Sequence, residues 1–128
     1  MSKYAFGKTV NMGFDQAVAA VTQALSKEGF GVLTEIDVQA TLKKKLGIER
    51  APYKILGACN PQFAAQALEA EPQIGALLPC NVVVREAGSK TIVEFMDPDA
   101  VLTLVGRPEV GKIAAEVRER LQRVMAAL

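Results

Sequence analysis

Apolar and polar residues alternate with a changing period along the chain, and each change marks an element. Residues 4–11, YAFGKTVN, read as a first strand. Over residues 14–28, FDQAVAAVTQALSKE, the apolar positions Phe14, Val18, Val21 and Leu25 return every three or four residues, which is the period of one helix face. Asp15 suits the first turn of this helix, Lys27 the last, and Gly29 the left-handed position just beyond. Residues 31–37, GVLTEID, return to strand periodicity, with Val32, Thr34 and Ile36 on one face and Leu33, Glu35 and Asp37 on the other. VQATLKKKLGI, residues 38–48, predicts a short helix with Leu42 and Leu46 inward and Gly47 as its stop. APYKILGAC, residues 51–59, predicts a third strand, with Pro52 at its start, where a missing N–H is tolerated.

Asn60-Pro61 then opens a helix, since asparagine caps well and proline is at home in the first turn. That helix runs through QFAAQALEA to Pro72, and PQIGALLP, residues 72–79, follows as an apolar loop whose Ile74, Leu77 and Leu78 need burial. Residues 81–98 carry a hairpin signal: two Val/Ile-rich runs around Ala87-Gly88-Ser89, ended by Asp97-Pro98. DAVLTLVGR predicts a short helical turn. A long helix closes the chain, with Pro108 near its start and a stripe of Ile113, Val117, Leu121, Val124 and Leu128. The sum is an α+β domain: an antiparallel sheet of about five strands with helices packed on one face. The last hairpin is apolar on both faces, which predicts a second face partly covered as well, by another subunit.

Composition narrows the function more than it names one. A chain of 128 residues fits a single domain over residues 1–128 and can bury a core without disulfide or metal staples. A net charge of +1 makes no electrostatic case for nucleic acid or an anionic membrane. No stretch approaches the ~20 apolar residues that span a bilayer. The opening MSKYAFGKTVNMG has no apolar run of the kind an export signal needs. Two cysteines make no disulfide framework, so a reduced, cytoplasmic setting is expected. Histidine is absent, which excludes Ser-His-Asp and Cys-His catalysis within the chain, and His-ligated metals with it. An enzyme would need a thiolate nucleophile working without histidine or a carboxylate base, so a binding protein is favoured over an enzyme. Which cofactor or metal, if any, the chain uses is left unknown by its sequence.

Several segments together resemble a known family. EGFGVLTEIDVQATLKKKLGIE, YKILGACNPQFAAQALEAEPQIGALLPCNVVV and FMDPDAVL are similar to the bacterial and archaeal "domain of unknown function 302" family, from about residue 4 to about residue 126. Cys59-Asn60-Pro61, Leu78-Pro79-Cys80 and Asp97-Pro98 carry the resemblance most specifically. It implies a TATA-binding-protein-like fold with an antiparallel sheet, and a homodimer. It implies no activity.

The candidate chemistry gathers at the two Cys-Asn pairs. Cys59 ends a strand just before a helix N-terminus, where the dipole favours a thiolate, and Cys80 begins the strand after that helix. Antiparallel strands, which the resemblance favours, would bring both thiols to one end of the sheet. Parallel strands would part them by about 20 Å. Cys59, Asn60, Pro79, Cys80 and Asn81 thus form a candidate ligand site, suited to a soft metal, a redox disulfide or a small sulfur-containing ligand. Against it stands a structural reading in which the thiols are small core hydrophobes, Asn60 a cap and Pro79 a strand-entry residue. The spacing is not CxxC and by itself signals little. Glu35 and Asp37, with Glu94 if register permits, form a second candidate for a hard cation or acid–base work, against cap and surface roles. Lys43, Lys44 and Lys45, near Arg50 and Lys54, read as a solvated helix face. GRPEVGK at 106–112 lacks phosphate-loop spacing.

Overall fold

In the computed structural model, which describes residues 2–128, the strand-patterned segments become β1 (Ala5–Val10), β2 (Gly31–Asp37), β3 (Tyr53–Cys59), β4 (Cys80–Ala87) and β5 (Lys90–Met96). Met1, the first residue of the opening read for an export signal, lies outside the described residues. The helices are α1 (Phe14–Lys27), α2 (Val38–Leu46), α3 (Pro61–Ala70), a short α4 (Pro98–Val101) and α5 (Pro108–Ala126). All strand pairs are antiparallel and the sheet order is β1-β5-β4-β3-β2, so this is the expected α+β fold with β1 and β2 as edges.

One sheet face is the core. Leu56, Ala58, Cys80, Val82, Val84, Val93 and Phe95 point into it and are buried against α1, α3 and α5. From α1 come Ala17, Val21, Ala24 and Leu25; from α5 come Val110, Ile113, Ala114, Val117, Leu121 and Val124. Most of both predicted stripes is here, while Phe14, Val18 and Leu128 are only partly buried at the margin of the core; Val110 and the alanines, which let the helices approach closely, join them. Burying each large side chain stabilises the fold by about 1.5–3 kcal/mol. Phe6 stacks on its cross-strand partner Phe95, ring centroids 5.6 Å apart, closing the core beneath edge strand β1.

The element ends follow local chemistry. Gly29 and Gly47 stand just past α1 and α2 with φ of 85° and 67°, as only glycine does cheaply. Asp37 caps α2 by accepting from the Ala40 N–H at 2.9 Å, and Asp97 caps α4 by accepting from Asp99 N–H at 3.0 Å. The Arg118 guanidinium donates to the same Asp97 oxygen at 3.0 Å and tethers the end of β5 to α5. Pro52 stands one residue before β3, and its carbonyl still accepts from Glu86 N–H at 3.0 Å.

Three expectations need correction. The face assignment of β2 fails at its start, because a bulge between Val32 and Thr34 inserts Leu33. Val32 therefore lies opposite Ala58 on the helix-covered side, while Thr34 and Ile36 lie opposite Gly57 and Ile55 on the other. Second, α2 does not turn its leucines inward: it buries none of its residues, and Leu46 is 66% exposed. Its basic last turn and its Asp37 cap hold it without a core face. Third, residues 72–79 are only partly loop, since Pro72–Leu77 wind into a 3-10 helix that buries Ile74. A second 3-10 helix, Leu102–Val105, extends the predicted turn after α4.

Candidate functional site

The antiparallel pairing of β3 with β4 brings the two Cys-Asn pairs to the same end of the sheet. The pleat then divides them. Cys80 lies directly opposite Ala58, and both are buried on the helix-covered face. Cys59 is the next residue along β3, so it faces the other side, where it pairs with Gly31 and is half-buried. Both thiols are free. Burial, reinforced by the neighbouring Cys59 sulfur, pushes the Cys80 thiol from 9.0 to about 11. Cys80 is therefore a protonated, 7% exposed core residue at neutral pH.

Asn60 is fully engaged in holding the chain together. Its Oδ1 accepts from Phe63 N–H at 3.4 Å and caps α3; its Nδ2 donates to the Glu28 carbonyl at 3.4 Å, at the far end of α1. Arg120 Nη1 donates to the same carbonyl at 3.1 Å, and the Arg120 Cζ lies 5.1 Å from the centroid of the Phe63 ring. This latch packs against Gly29, where a Cβ would come within 2.9 Å of Asn60 Nδ2. Pro79, joined to Leu78 by a cis bond, sits over Gly57, with Thr34 on the same glycine. Asn81 is exposed and pairs with Gly57 on the side away from α1, α3 and α5. Of the five candidate residues, Cys59, Pro79 and Asn81 thus share the open side, while Cys80 and Asn60 belong to the frame.

The carboxylates do not converge. Glu35 and Asp37 share a side, as expected, but Glu35 pairs with Lys54 at 3.1 Å and Asp37 is a cap. Glu94 sits on β5, separated from β2 by two strands, and on the opposite face. Among the described residues no group of three or more His, Cys, Asp or Glu could hold a metal ion. The basic run is solvated, with Lys43 reaching Glu49 at 3.4 Å.

What the geometry brings together instead is the open sheet face. One row runs across all five strands, Gly7, Glu94, Val83, Ile55 and Ile36; the next holds Thr9, Ile92, Arg85 and Tyr53. Apart from Gly57, every residue of this face is partly or fully exposed. At its middle, Arg85 Nε donates to Glu94 Oε1 at 2.6 Å and Nη2 to Oε2 at 3.4 Å, a fork-to-fork pair. The hydrogen bond from Glu94 strengthens the guanidinium's hold on its proton against a small opposing effect of burial. Beside the pair a shallow recess of about 220 Å³ is lined by Tyr4, Ala5, Asn81, Val83, Glu94, Phe95 and Met96. Sequence reasoning missed Arg85 and Glu94 as partners. Their signal was an arginine in NVVVREA and a glutamate in KTIVEFM, opposite charges on adjacent Val/Ile-rich strands of one hairpin.

Comparison with known proteins agrees with the architecture. The family model described as "Domain of unknown function DUF302" matches residues 6–128. The crystal structure of an uncharacterized conserved DUF302 protein from Bacillus stearothermophilus superposes with a TM-score of 0.91 at 29% identity, covering 98% of each chain. No curated protein matches.

Proposed function

The chain belongs to the DUF302 family, whose description assigns no activity, and we propose that it is a homodimeric binding protein working through the open face of its sheet. The observation that carries this reading is the one-sided packing. The helices bury the centre of one face, while the other presents Ile36, Ile55, Val83, Ile92 and Met96 around the Arg85–Glu94 ion pair, with Lys90 at its rim. A contiguous apolar surface of this extent is characteristic of an interface. No histidine is present, and Cys80, the more buried thiol, is held protonated, which favours binding over catalysis. Two free thiols fit a reducing, cytoplasmic setting. No described helix is long and apolar enough to cross a membrane.

A second reading, a small-ligand site at the cysteine end, draws support from the recess beside Asn81, with Cys59 and Pro79 on the same face. Cys80 and Asn60 would then act only by holding the strand ends in place. Light scattering coupled to size exclusion tests the dimer, and mass-resolved alkylation of the native protein tests the site. A dimer with one modified thiol, Cys59, is expected. A monomer at tens of micromolar (a range in which stable dimers with submicromolar Kd remain associated) would overturn the homodimer.

A further inference from the structure

We propose that the recess at the start of α1 binds a polar α-amino acid as its zwitterion, with the carboxylate on the free N–H groups of the helix and the ammonium on Glu86. The recess is separate from the open face on which the binding reading above rests. It lies on the helix-covered side, at the end of the sheet remote from both cysteines.

The turn into α1 and the β4–β5 hairpin enclose a space of about 440 Å³ there. The 14-residue α1 begins without a side-chain cap: Gly13 stands at the cap position, and the first helical bond runs from Ala17 N–H to the Gly13 carbonyl at 2.9 Å. The N–H groups of Phe14, Asp15 and Gln16 therefore have no acceptor among the described residues. Together they present the positive end of the helix dipole to the recess, which suits a carboxylate.

Thr91 independently points to a ligand. It is 5% exposed, yet its hydroxyl has no hydrogen-bond partner among the described residues. No enclosed side-chain nitrogen or oxygen of the described residues lacks a partner, so this hydroxyl is not sealed in the core and opens into the recess that Thr91 lines. The position lies between Val10 on β1 and Glu86 on β4, two residues before the buried Val93. Valine would fill it without the cost of an unpaired hydroxyl, and a polar ligand atom removes that cost.

Glu86 decides the class of ligand. It faces Thr91 directly across the strand pair, is half-buried, and among the described residues is the only charged side chain lining the recess. Lys54, whose Nζ lies 5.9 Å from the centroid of the Phe14 ring, is committed to Glu35 at 3.1 Å. A simple anion such as phosphate would be drawn by the helix and repelled by Glu86 and by Asp15 in the helix's first turn. A simple cation meets the reverse. A molecule that carries both charges on one carbon satisfies both, and brings no net charge to desolvate. The Thr91 hydroxyl, beside Glu86, can donate to the carboxylate or accept from the ammonium. Asn11, Gln16 and Ser89 complete the wall, so a polar side chain is matched better than an aliphatic one.

Backbone ¹H–¹⁵N spectra of the protein titrated with L-serine, L-asparagine and L-glutamine provide the test. At least one should give saturable shifts centred on the amides of Phe14, Asp15, Gln16 and Thr91 by ~50 mM, where even a Kd near 1 mM is saturated. Acetate and methylammonium, each bearing half of the charge pattern, should bind about tenfold or more weakly than that amino acid. Thr91→Val and Glu86→Gln should each weaken it by about fivefold to tenfold while the spectrum stays folded. Acetate or methylammonium binding as tightly as the amino acid overturns the zwitterion, in favour of a plain anion or cation site. A Glu86→Gln variant that binds unchanged overturns the ammonium contact. Shifts centred elsewhere, or no saturable shift with any of the three, overturn the site, and none of these outcomes bears on the dimer.

Discussion

Burial decides what Cys80 can do. In the unfolded chain its thiol ionises near 9.0, and in the fold only near about 11. Between those values the unfolded state has released the proton that the folded state still holds. Stability contributed by the neutral thiol is therefore fully present below 9.0 and is lost as pH rises towards about 11. The loss should reach about 2–3 kcal/mol by the top of that window, at 1.36 kcal/mol per pKa unit. Urea unfolding of wild type and Cys80→Ala across the window isolates it from the lysines and tyrosines. Wild type should lose stability more steeply than the variant, and parallel curves would contradict a buried, neutral Cys80. Asn60 illustrates the complementary case. Its role as a cap was readable from the Asn-Pro dipeptide, but its other partner is the carbonyl of Glu28, thirty-two residues earlier. No local pattern encodes that contact, and it is why an amide that looked available for a ligand is occupied.

Gly57 shows how one residue can set the relation between three strands. It is the buried member of the open face, pairing with Thr34 on β2 and Asn81 on β4, with Pro79 above it. Gly57→Ala should destabilise by about 1–3 kcal/mol, the usual cost of overpacking. Adding Thr34→Ala should recover part of the loss, because the hydroxyl that the new methyl meets is gone. Thermal unfolding of the single and double variants measures the coupling, and strict additivity would mean that the glycine is not a packing requirement. Period and punctuation made the elements legible: β2 runs over the residues its alternation marks, and α5 buries the stripe from Ile113 to Val124. They failed where a non-local event intervenes. The bulge at Leu33 reverses the side on which Val32 lies without leaving a mark in the alternation. Likewise Leu42 and Leu46 have the spacing of a buried face, yet α2 meets no core. The antiparallel pairing put both cysteines at one end, as the alternation and the family resemblance suggested. Their opposite facing depends on a one-residue offset in register, which sequence leaves open.

For the whole molecule, a core on one side and an aliphatic sheet on the other would tie stability to association in the proposed dimer. If the dimer forms as proposed, the unfolding temperature should rise by about 2–3 °C for each tenfold increase in protein concentration, since only the folded state associates. Calorimetry over a concentration series reads this directly, and a constant midpoint would mean that the folded monomer stands alone. Association through the face also differs in kind from association through an edge. A strand added to β2 would leave a new edge for the next copy, so the process would have no natural end. The extra residue at Leu33 interrupts the regular spacing of β2's backbone groups and increases its local twist. A copy approaching that edge finds no even ladder to extend. The irregularity that misled a face assignment thus works against fibre growth at this edge, and association through the face, if it occurs as proposed, would stop at two.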